Sequence, residues 1–448
     1  MKHRYRNVLK TLIALSIPTI LEEVMSVLLQ YVDTAMVGHL GEEATAAVST
    51  TTTISWMVNG AVYAFGIAVL ALISQACGRG DEKTMKDVSK QAFFLTLICG
   101  LSVGALAMAL SPFIPTWMGA NEAIRAEASR YFFIISMPMV FRAGNMIFGE
   151  AIRGTLDTKS PMLVNLVENV LNTVLNYLLI YVLHMGVTGA AIASAIAYTV
   201  GGIAMYVVYR RKTALRWKYN ELAWDSKTMK EICKIGLPAM GSDLIATSGY
   251  VVFTAMVSGM GTTIFAAHSI AVTAETIFYI PGYGLRASTS SMAGVALGEE
   301  DHEKLKKVCV LSILLTVGLM TLSGLLLYLG ATPLMRIFTP SERVIAMGSD
   351  VLKLVAFSEP FFGLMVVIQG IFYGLGRTKQ VFAVETVGMW GVRILFTYLC
   401  VHVWKLGLIA VWNCMIASNV AKAVLLFILL LVEYHKLFQR KGLEHDTV

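Results

Sequence analysis

The chain has 448 residues, of which 56% are hydrophobic and 15% are charged, and its formal net charge at pH 7 is +7. Soluble proteins carry about 25% charged residues, so the composition excludes an ordinary soluble globular protein. The positive charge alone would suit a nucleic-acid-binding protein, but its placement along the chain, described below, argues against nucleic acid as a partner.

Long apolar runs account for the shortage of charge. A helix needs about 20 mostly apolar residues to cross the hydrocarbon core of a bilayer. The sequence has twelve such runs, and we expect the first two and the eighth to tilt or bend because they exceed this length. The runs are 12–37, 44–74, 91–111, 131–152, 161–184, 188–209, 233–257, 263–294, 308–329, 350–373, 381–402 and 408–433. They predict an all-α integral membrane protein with twelve transmembrane helices.

The basic residues are concentrated on one side of the predicted membrane. If the N-terminus is inside the cell, the cytoplasmic segments hold 25 of the 36 Lys and Arg residues, and the opposite loops hold five. This is the positive-inside distribution, and it predicts that both termini are cytoplasmic. We expect no signal peptide, because the first apolar run is too long and contains Glu22, Glu23 and Asp33. The predicted location is the plasma membrane.

The two halves of the chain match one another when Pro18 is aligned with Pro238. In this repeat alignment TAMV at 34–37 meets an identical TAMV at 254–257, and Asp81 meets Asp301. The sequence therefore predicts a duplication, with an N-terminal six-helix lobe at 1–212, a cytoplasmic linker at 213–230 and a C-terminal six-helix lobe at 231–448. Because each half contains an even number of spans, the lobes are expected to be related by a pseudo-two-fold axis along the membrane normal.

Motifs for enzymatic chemistry are missing. No G-x-x-x-x-G-K-[ST] sequence is present to bind ATP phosphates. The stretch that begins at His302-Glu303 has Lys306 where a zinc protease has its second histidine. We therefore predict that the protein is not an enzyme and has no cofactor. The six cysteines show neither a disulfide framework nor metal-ligand spacing; they are Cys77, Cys99, Cys233, Cys309, Cys400 and Cys414.

An ionisable residue inside a membrane span is costly and is a candidate functional residue. Asp33 lies near the end of predicted helix 1, and predicted helix 5 carries Asn172 and Asn176 one helical turn apart, on one face. Ser194 on predicted helix 6 lies at a similar depth. A carboxylate surrounded by amide and hydroxyl groups can take up a proton or bind a hard cation. It can equally be a helix-packing hydrogen-bond cluster, and spacing alone does not separate these uses.

The C-terminal half has its own buried acids. Glu275 lies in the middle of predicted helix 8, where Pro281 removes a backbone donor and is expected to bend the helix. Glu359 precedes Pro360 in predicted helix 10, and Asp243 matches Glu23 in the repeat alignment. These three acids are candidate coupling residues. The 24 Met, 20 Phe and 17 Tyr residues suit a cavity for apolar cations, although most of them are expected to serve ordinary packing.

Several segments resemble the multidrug and toxic compound extrusion (MATE) family, with its NorM-like and DinF-like bacterial branches. The most specific are IPTILEEVMSVLLQYVDTAMVG, SQACGRGD, RGTLDTKSP and IPGYGLRASTSSMAGVALGEED. The resemblance implies a secondary active antiporter that exports organic, mostly cationic compounds in exchange for Na⁺ or H⁺ by alternating access. In the family, a helix 1 aspartate matches Asp33, and its partners match Asn172, Asn176, Ala190 and Ser194.

The sequence departs from both branches of that family. Many DinF-like members have aspartate where Asn176 stands, and NorM-like members have a helix 7 glutamate where this chain has Ala246. Glu275, Asp243 or Glu359 could replace the missing carboxylate, which leaves Na⁺ and H⁺ both open as the coupling ion. We expect the protein to act as a monomer in the bilayer, with no metal beyond Na⁺ at the coupling site.

Three other functions agree less well with the sequence. A lipid-linked oligosaccharide flippase of related architecture needs a strongly cationic cavity, and few basic residues lie within the spans, among them Arg142, Arg286 and Arg393. A membrane-embedded enzyme such as an acyltransferase needs a nucleophile and a base grouped together near the membrane surface, and the sequence shows no such combination. A channel is poorly supported by the duplicated two-lobe design.

Overall fold

This computed structural model describes residues 2–445, and the side chains of residues 7–436. Every long regular element in that range is a helix. The helices are α1 (Lys2–Gly38), α2 (Glu42–Arg79), α3 (Glu82–Leu110), α4 (Ile114–Trp117), α5 (Glu122–Ser136), α6 (Met139–Gly154), α7 (Lys159–Asn176), α8 (Gly186–Arg211), α9 (Ser226–Ser258), α10 (Thr262–Thr276), α11 (Ile280–Gly298), α12 (His302–Phe338), α13 (Glu342–Ala356), α14 (Glu359–Gly374), α15 (Thr378–Thr386), α16 (Leu395–Tyr398) and α17 (Leu408–His445). Three π-helical segments, Tyr177–Val182, Val387–Ile394 and Leu399–Val403, continue helices in the later part of each half.

Twelve membrane spans account for the helices. Ten spans in the described residues are long and apolar enough by themselves, and two more are formed by helix pairs bent at a short break. The bent pairs are α5–α6, with an angle of 51°, and α13–α14, with an angle of 55°. Pro138 precedes α6 and Pro360 lies in the first turn of α14. Proline cannot donate the backbone hydrogen bond that would continue the preceding helix. The predicted all-α membrane fold is confirmed.

The repeat is visible in the way equivalent helices begin. Gly41 precedes α2 with a φ of 115°, and Gly261 precedes α10 with a φ of 116°, a backbone region that favours glycine. Asp81 accepts a hydrogen bond from the Thr84 N–H (3.0 Å) at the start of α3, and Asp301 accepts one from the Lys304 N–H (2.9 Å) at the start of α12. Side-chain caps of this kind satisfy the free N–H groups of a helix start. Both pairs occupy equivalent positions in the repeat alignment, so the duplication predicted from sequence extends to local geometry.

The eighth span is interrupted near Pro281, where the sequence predicts a bend. A 3₁₀ turn, Ile277–Tyr279, separates α10 from α11, and Pro281 lies in the first turn of α11. Proline leaves a preceding carbonyl without its helical donor. The Ser323 hydroxyl of α12 donates to the Phe278 carbonyl at 2.9 Å, which satisfies one carbonyl at the break. The interruption places Glu275 beside irregular backbone.

Contact density divides the chain into two compact units. One contains Leu21–Asp243, and the other contains the chain up to Ile20 together with the chain from Leu244 onward. This division falls inside α1 and α9, whereas the lobes predicted from sequence are bounded at 1–212 and 231–448. In the second unit, the Thr19 hydroxyl donates to the Gly284 carbonyl at 2.7 Å. The first half of α1 is thereby joined to α11.

The connection between α8 and α9 overlaps the predicted linker, 213–230, and is folded onto neighbouring helices. α9 already begins at Ser226, so only 212–225 connects α8 to α9. Leu215 and Trp217 are buried, and the Leu215 carbonyl accepts a hydrogen bond from the Ser89 hydroxyl at 2.7 Å. The Ala223 carbonyl accepts another from the Gln91 side chain at 2.9 Å. This connection packs on α3 as part of the Leu21–Asp243 unit.

In the loop between α6 and α7, Asp157 makes contacts that should stabilise the fold in a pH-dependent way. Asp157 accepts hydrogen bonds from the Lys212 ammonium, the Ser160 side chain and the backbone N–H groups of Lys159 and Ser160. Burial by itself raises the pKa of Asp157, but these hydrogen bonds and the charge of Lys212 outweigh it, so the pKa lies below its usual value. The ionised form is therefore favoured in the folded state.

We expect Asp157→Asn to lower the free energy of unfolding by up to about 1 kcal/mol at neutral pH, because asparagine keeps an oxygen for the backbone N–H groups but loses the charge that pairs with Lys212. A lowered pKa in the folded state stabilises above the unfolded pKa, and the contribution disappears as the pH falls through the folded pKa. The difference between variant and wild type should thus close in acid, measured by thermal unfolding in detergent over a pH series. Glu122→Gln, whose side chain is 88% exposed, is the control. A difference that persists unchanged at low pH would contradict this assignment.

Candidate functional site

The first candidate site is built around Asp33, near the end of α1. The Asn176 side-chain N–H donates to Asp33 Oδ1 at 3.0 Å, and the Thr173 hydroxyl donates to the same oxygen at 3.4 Å. Asn176 is the last residue of α7 and is 3% exposed. The carboxylate therefore joins α1 to the end of α7.

Asn172 connects this carboxylate to α8. Its amide lies between Asp33 and Ser194, and the orientation that satisfies both neighbours points the nitrogen at Asp33 Oδ2 (2.6 Å). In that orientation its oxygen accepts from the Ser194 hydroxyl at 3.1 Å and from the Ser194 N–H at 3.2 Å. Four residues chosen from sequence, Asp33, Asn172, Asn176 and Ser194, thus lie in one hydrogen-bonded cluster.

Thr173 is part of this cluster, although it is not among the site residues predicted from the sequence. It follows Asn172 directly and lies one helical turn before Asn176, so helical spacing could have identified it. The π-helical segment Tyr177–Val182 begins immediately after Asn176. Segments of π-helix occur often at functional sites, where a widened turn redirects side chains. Asn176 Oδ1 is buried and has no hydrogen-bond partner among the described residues, so it is one oxygen that could bind an ion.

Ala190 lies one turn before Ser194 on α8 and contributes packing instead of a polar side chain. It is 4% exposed and belongs to a buried apolar cluster with Val37, Ala44, Ile180 and Val187. The Tyr181 hydroxyl donates to the Met36 carbonyl at 2.9 Å beside this cluster. These contacts fix the end of α1 against the π-helical segment.

Two of the three acids proposed in the C-terminal half lie close together. Glu275 and Glu359 are each 1% exposed, and they interact electrostatically with one another. Glu275 interacts with the neighbouring Tyr279 side chain and is attracted by the charge of Arg393. Both oxygens of Glu359 have no hydrogen-bond partner in the described part of the chain. Each acid is next to a helix break, Glu275 before the 3₁₀ turn and Glu359 at the first residue of α14.

The third of these acids, Asp243, lies on α9. It falls in the Leu21–Asp243 unit, where it packs against α2. A methyl group at Gly60 would lie 3.4 Å from Asp243 Cβ.

A second buried ionic group lies in the α17 seam, the line of contact between residues 385–403 and α17. Lys422 Nζ is 3.0 Å from Glu385 Oε1, and the two side chains are 4% and 8% exposed. The Arg393 guanidinium donates to Asn419 Oδ1 at 2.9 Å. Lys422 is not among the site residues predicted from the sequence, although a lysine within an apolar span is itself an unusual feature.

Other acids within the spans of the Leu21–Asp243 unit have partners. The Arg153 guanidinium donates to both oxygens of Glu22, at 2.6 and 2.8 Å, and also to Glu150. Glu168 accepts from the Asn145 side chain at 2.5 Å. These contacts show that acids within the spans can be satisfied structural groups.

The described features define a class of protein. Twelve helical spans, a duplicated order of elements and carboxylates hydrogen-bonded inside the spans are features of a multi-pass membrane transporter. A family model, MatE, matches residues 18–178 and 238–399. The two matches begin at Pro18 and Pro238, which are equivalent positions of the internal repeat. The chain belongs to the MatE family.

Because the members of this family are transporters, the prediction that the protein is not an enzyme is confirmed.

Named relatives agree with this family. "Probable multidrug resistance protein NorM" of Thermotoga maritima is 26% identical over 434 residues, which cover 95% of this chain and 92% of the relative. A crystal structure of MATE in complex with MaL6 superimposes with a TM-score of 0.91 at 22% identity, covering 96% of this chain and 97% of the other. A Pyrococcus furiosus transporter of the MOP superfamily, described as having a binding pocket of reverse polarity, also gives 0.91 at 22% identity and 96% coverage of each chain. At these identities the two structures establish the shared fold.

Proposed function

We propose that the protein is a secondary active multidrug efflux antiporter, which exports organic, mostly cationic compounds in exchange for Na⁺ or H⁺. It acts as a monomer in the cell membrane, with both termini in the cytoplasm. The observation that carries the proposal is the Asp33 carboxylate, held inside a span by Asn172, Asn176 and Thr173. The name of the Thermotoga maritima relative supports the substrate class.

Ion binding at Asp33 would change how α1 contacts α7. The ionised carboxylate accepts hydrogen bonds from up to three donors. A proton on Asp33 turns one oxygen into a donor, so at least one of these contacts must rearrange. A Na⁺ ion instead needs oxygen ligands, so an amide must rotate its oxygen inward, and Asn176 Oδ1 is already free. Either ion thus favours a different arrangement of α1, which is what coupling to alternating access requires.

The buried acids of the C-terminal half can supply a second titrating group. Three carboxylates, Glu275, Glu359 and Glu385, interact through a connected set of charges with two cations, Arg393 and Lys422. Such a set is electrically neutral only when one carboxylate carries a proton. Since Glu385 is paired with Lys422, the proton belongs to the Glu275–Glu359 pair. Uncompensated charge is expensive in a membrane, which supports an exchangeable proton at this pair.

The test is efflux of ethidium from proteoliposomes, with a Na⁺ gradient and a pH gradient imposed separately. We expect one gradient to accelerate efflux several-fold, and an ionophore that collapses this gradient to remove the acceleration. The responding gradient identifies the coupling ion. If folded protein responds to neither gradient, the antiporter proposal is wrong, and a flippase for lipid-linked oligosaccharides becomes the better hypothesis.

A further inference from the structure

We propose that Cys400 and Cys414 are a redox site: oxidation joins the two thiols in a disulfide, and the disulfide arrests transport. The arrest rests on the proposed transport function, whereas disulfide formation does not. Both cysteines are free thiols in the structure. Their sulfur atoms are 3.6 Å apart, close enough for one thiol to donate a hydrogen bond to the other. The pair therefore begins in contact, and no helix has to move far to bring the sulfurs together.

Contacts along the α17 seam keep Cys414 on α17 opposite Cys400. On α17, Cys414, Ser418 and Lys422 follow one another at intervals of one helical turn and so lie along one face. The Ser418 hydroxyl donates to the Gly388 carbonyl at 2.8 Å, and Lys422 pairs with Glu385. The two cysteines are at the opposite end of the seam from this ion pair. A pair of small apolar residues would fill the same space, but only cysteines add the possibility of a covalent link.

The backbone around Cys400 explains why a link would matter. Cys400 lies in the π-helical segment Leu399–Val403, which follows the other π-helical segment of this span, Val387–Ile394, after the single turn of α16. A π-helical turn holds about one residue more than an α-helical turn. Conversion of the earlier segment, Val387–Ile394, to α-helix would therefore rotate the residues that follow it, Cys400 included, by about 100°. Such a rotation would carry Cys400 away from Cys414. A disulfide fixes the pairing and prevents any conversion or sliding along the seam.

The chemistry requires a small neutral oxidant that can enter an apolar site, such as hydrogen peroxide. One thiol, as its thiolate, attacks a peroxide oxygen and becomes a sulfenic acid, and hydroxide leaves and takes up the thiol proton as water. The second thiol attacks the sulfenic sulfur, forms the S–S bond and releases a second water. Two thiols are oxidised and one peroxide is reduced. A dithiol reductant reverses the reaction by thiol exchange.

The experiment uses the full-length protein in proteoliposomes, treated with hydrogen peroxide and then with dithiothreitol. Trypsin cleaves after Lys405, so the two cysteines fall in separate peptides, 394–405 and 406–422. We expect mass spectrometry to find these peptides linked, and maleimide labelling of the unfolded protein to fall by two thiols. Ethidium efflux should drop at least tenfold and return after reduction.

Cys400→Ser and Cys414→Ser should each abolish the linked peptides and keep efflux in oxidant. Cys309→Ser, at a buried cysteine on α12, should behave like the wild type. If peroxide modifies methionine but leaves peptides 394–405 and 406–422 unlinked, the redox site is disproved. If they link and efflux is unchanged, the arrest is disproved. Absence of efflux from the reduced protein would count against the antiporter proposal, because the linked peptides report the disulfide independently.

Discussion

Asp33→Asn is expected to abolish gradient-driven efflux while leaving the protein folded. Asparagine has nearly the same shape and keeps an oxygen that can accept from Asn176. It cannot take up a proton at physiological pH or attract a cation with a full charge. In proteoliposomes, efflux under the favourable gradient should fall to the rate of vesicles without protein. Ethidium binding to the detergent-solubilised variant should stay within about threefold of wild type.

Asp350→Asn is the matched control, because it makes the same chemical change at an exposed carboxyl group of α13. Thr173→Val provides an intermediate case. It removes one hydrogen bond to the same Asp33 oxygen, an effect of about 1 kcal/mol that should slow coupled efflux several-fold without stopping it. Full coupled efflux by Asp33→Asn would remove Asp33 from the mechanism and direct attention to Glu275 and Glu359.

Lys422→Met is expected to destabilise the protein by about 3–5 kcal/mol, the cost of leaving a buried charge without its partner. Methionine fills a similar volume, so the change removes the ammonium group and little packing. Glu385 is buried; besides Lys422, the Gln369 amide donates to it at 3.5 Å, and the charge of Arg393 acts on it. The loss should appear as reduced thermal stability in detergent, measured by retention of the monodisperse protein after heating.

The double variant Lys422→Met/Glu385→Gln should recover most of this loss, because it removes both charges together. The glutamine can still contact Gln369. A surface comparison is Lys86→Met on α3, which breaks the exposed pair with Glu82 and should cost less than about 1 kcal/mol. If the single and double variants are equally unstable, the ion pair is not the source of the effect, and the packing of Lys422 against Gly388 is.

The spans were predictable from the sequence because the bilayer fixes their length. All twelve apolar runs correspond to helical spans of the described residues; two of the spans are sharply bent helix pairs, and the eighth is interrupted by a 3₁₀ turn near Pro281. The helix ends were less predictable. α9 starts at Ser226 and α12 at His302, well before the apolar runs begin, because helical hydrogen bonds continue where the side chains become polar. Hydropathy predicts only the part of a helix that lies in the hydrocarbon core. The start of the helix is indicated instead by capping residues such as Asp301.

Whether a candidate site could be predicted from the sequence depends on how far apart its residues lie along the chain. Asn172 and Asn176 share a face of one helix, and their depth matched that of Asp33, so their convergence could be predicted. Glu275 and Glu359 are instead separated in the chain by the whole of α11, α12 and α13, and their proximity depends on two helix breaks that periodicity does not reveal. The same limitation explains why Lys422 was not predicted as a site residue, since its partner Glu385 lies on another helix.

The connection between α8 and α9 limits how the chain can be divided. Insertions and cuts are tolerated best in exposed segments with few backbone hydrogen bonds. The carbonyls of Leu215 and Ala223 are instead bonded to α3, and Trp217 is 2% exposed. A fluorescent protein or protease site placed there would expose these groups and disturb the Leu21–Asp243 unit. The two sequence repeats are therefore poor candidates for separate expression, because a cut between them would fall in a connection that is folded onto α3.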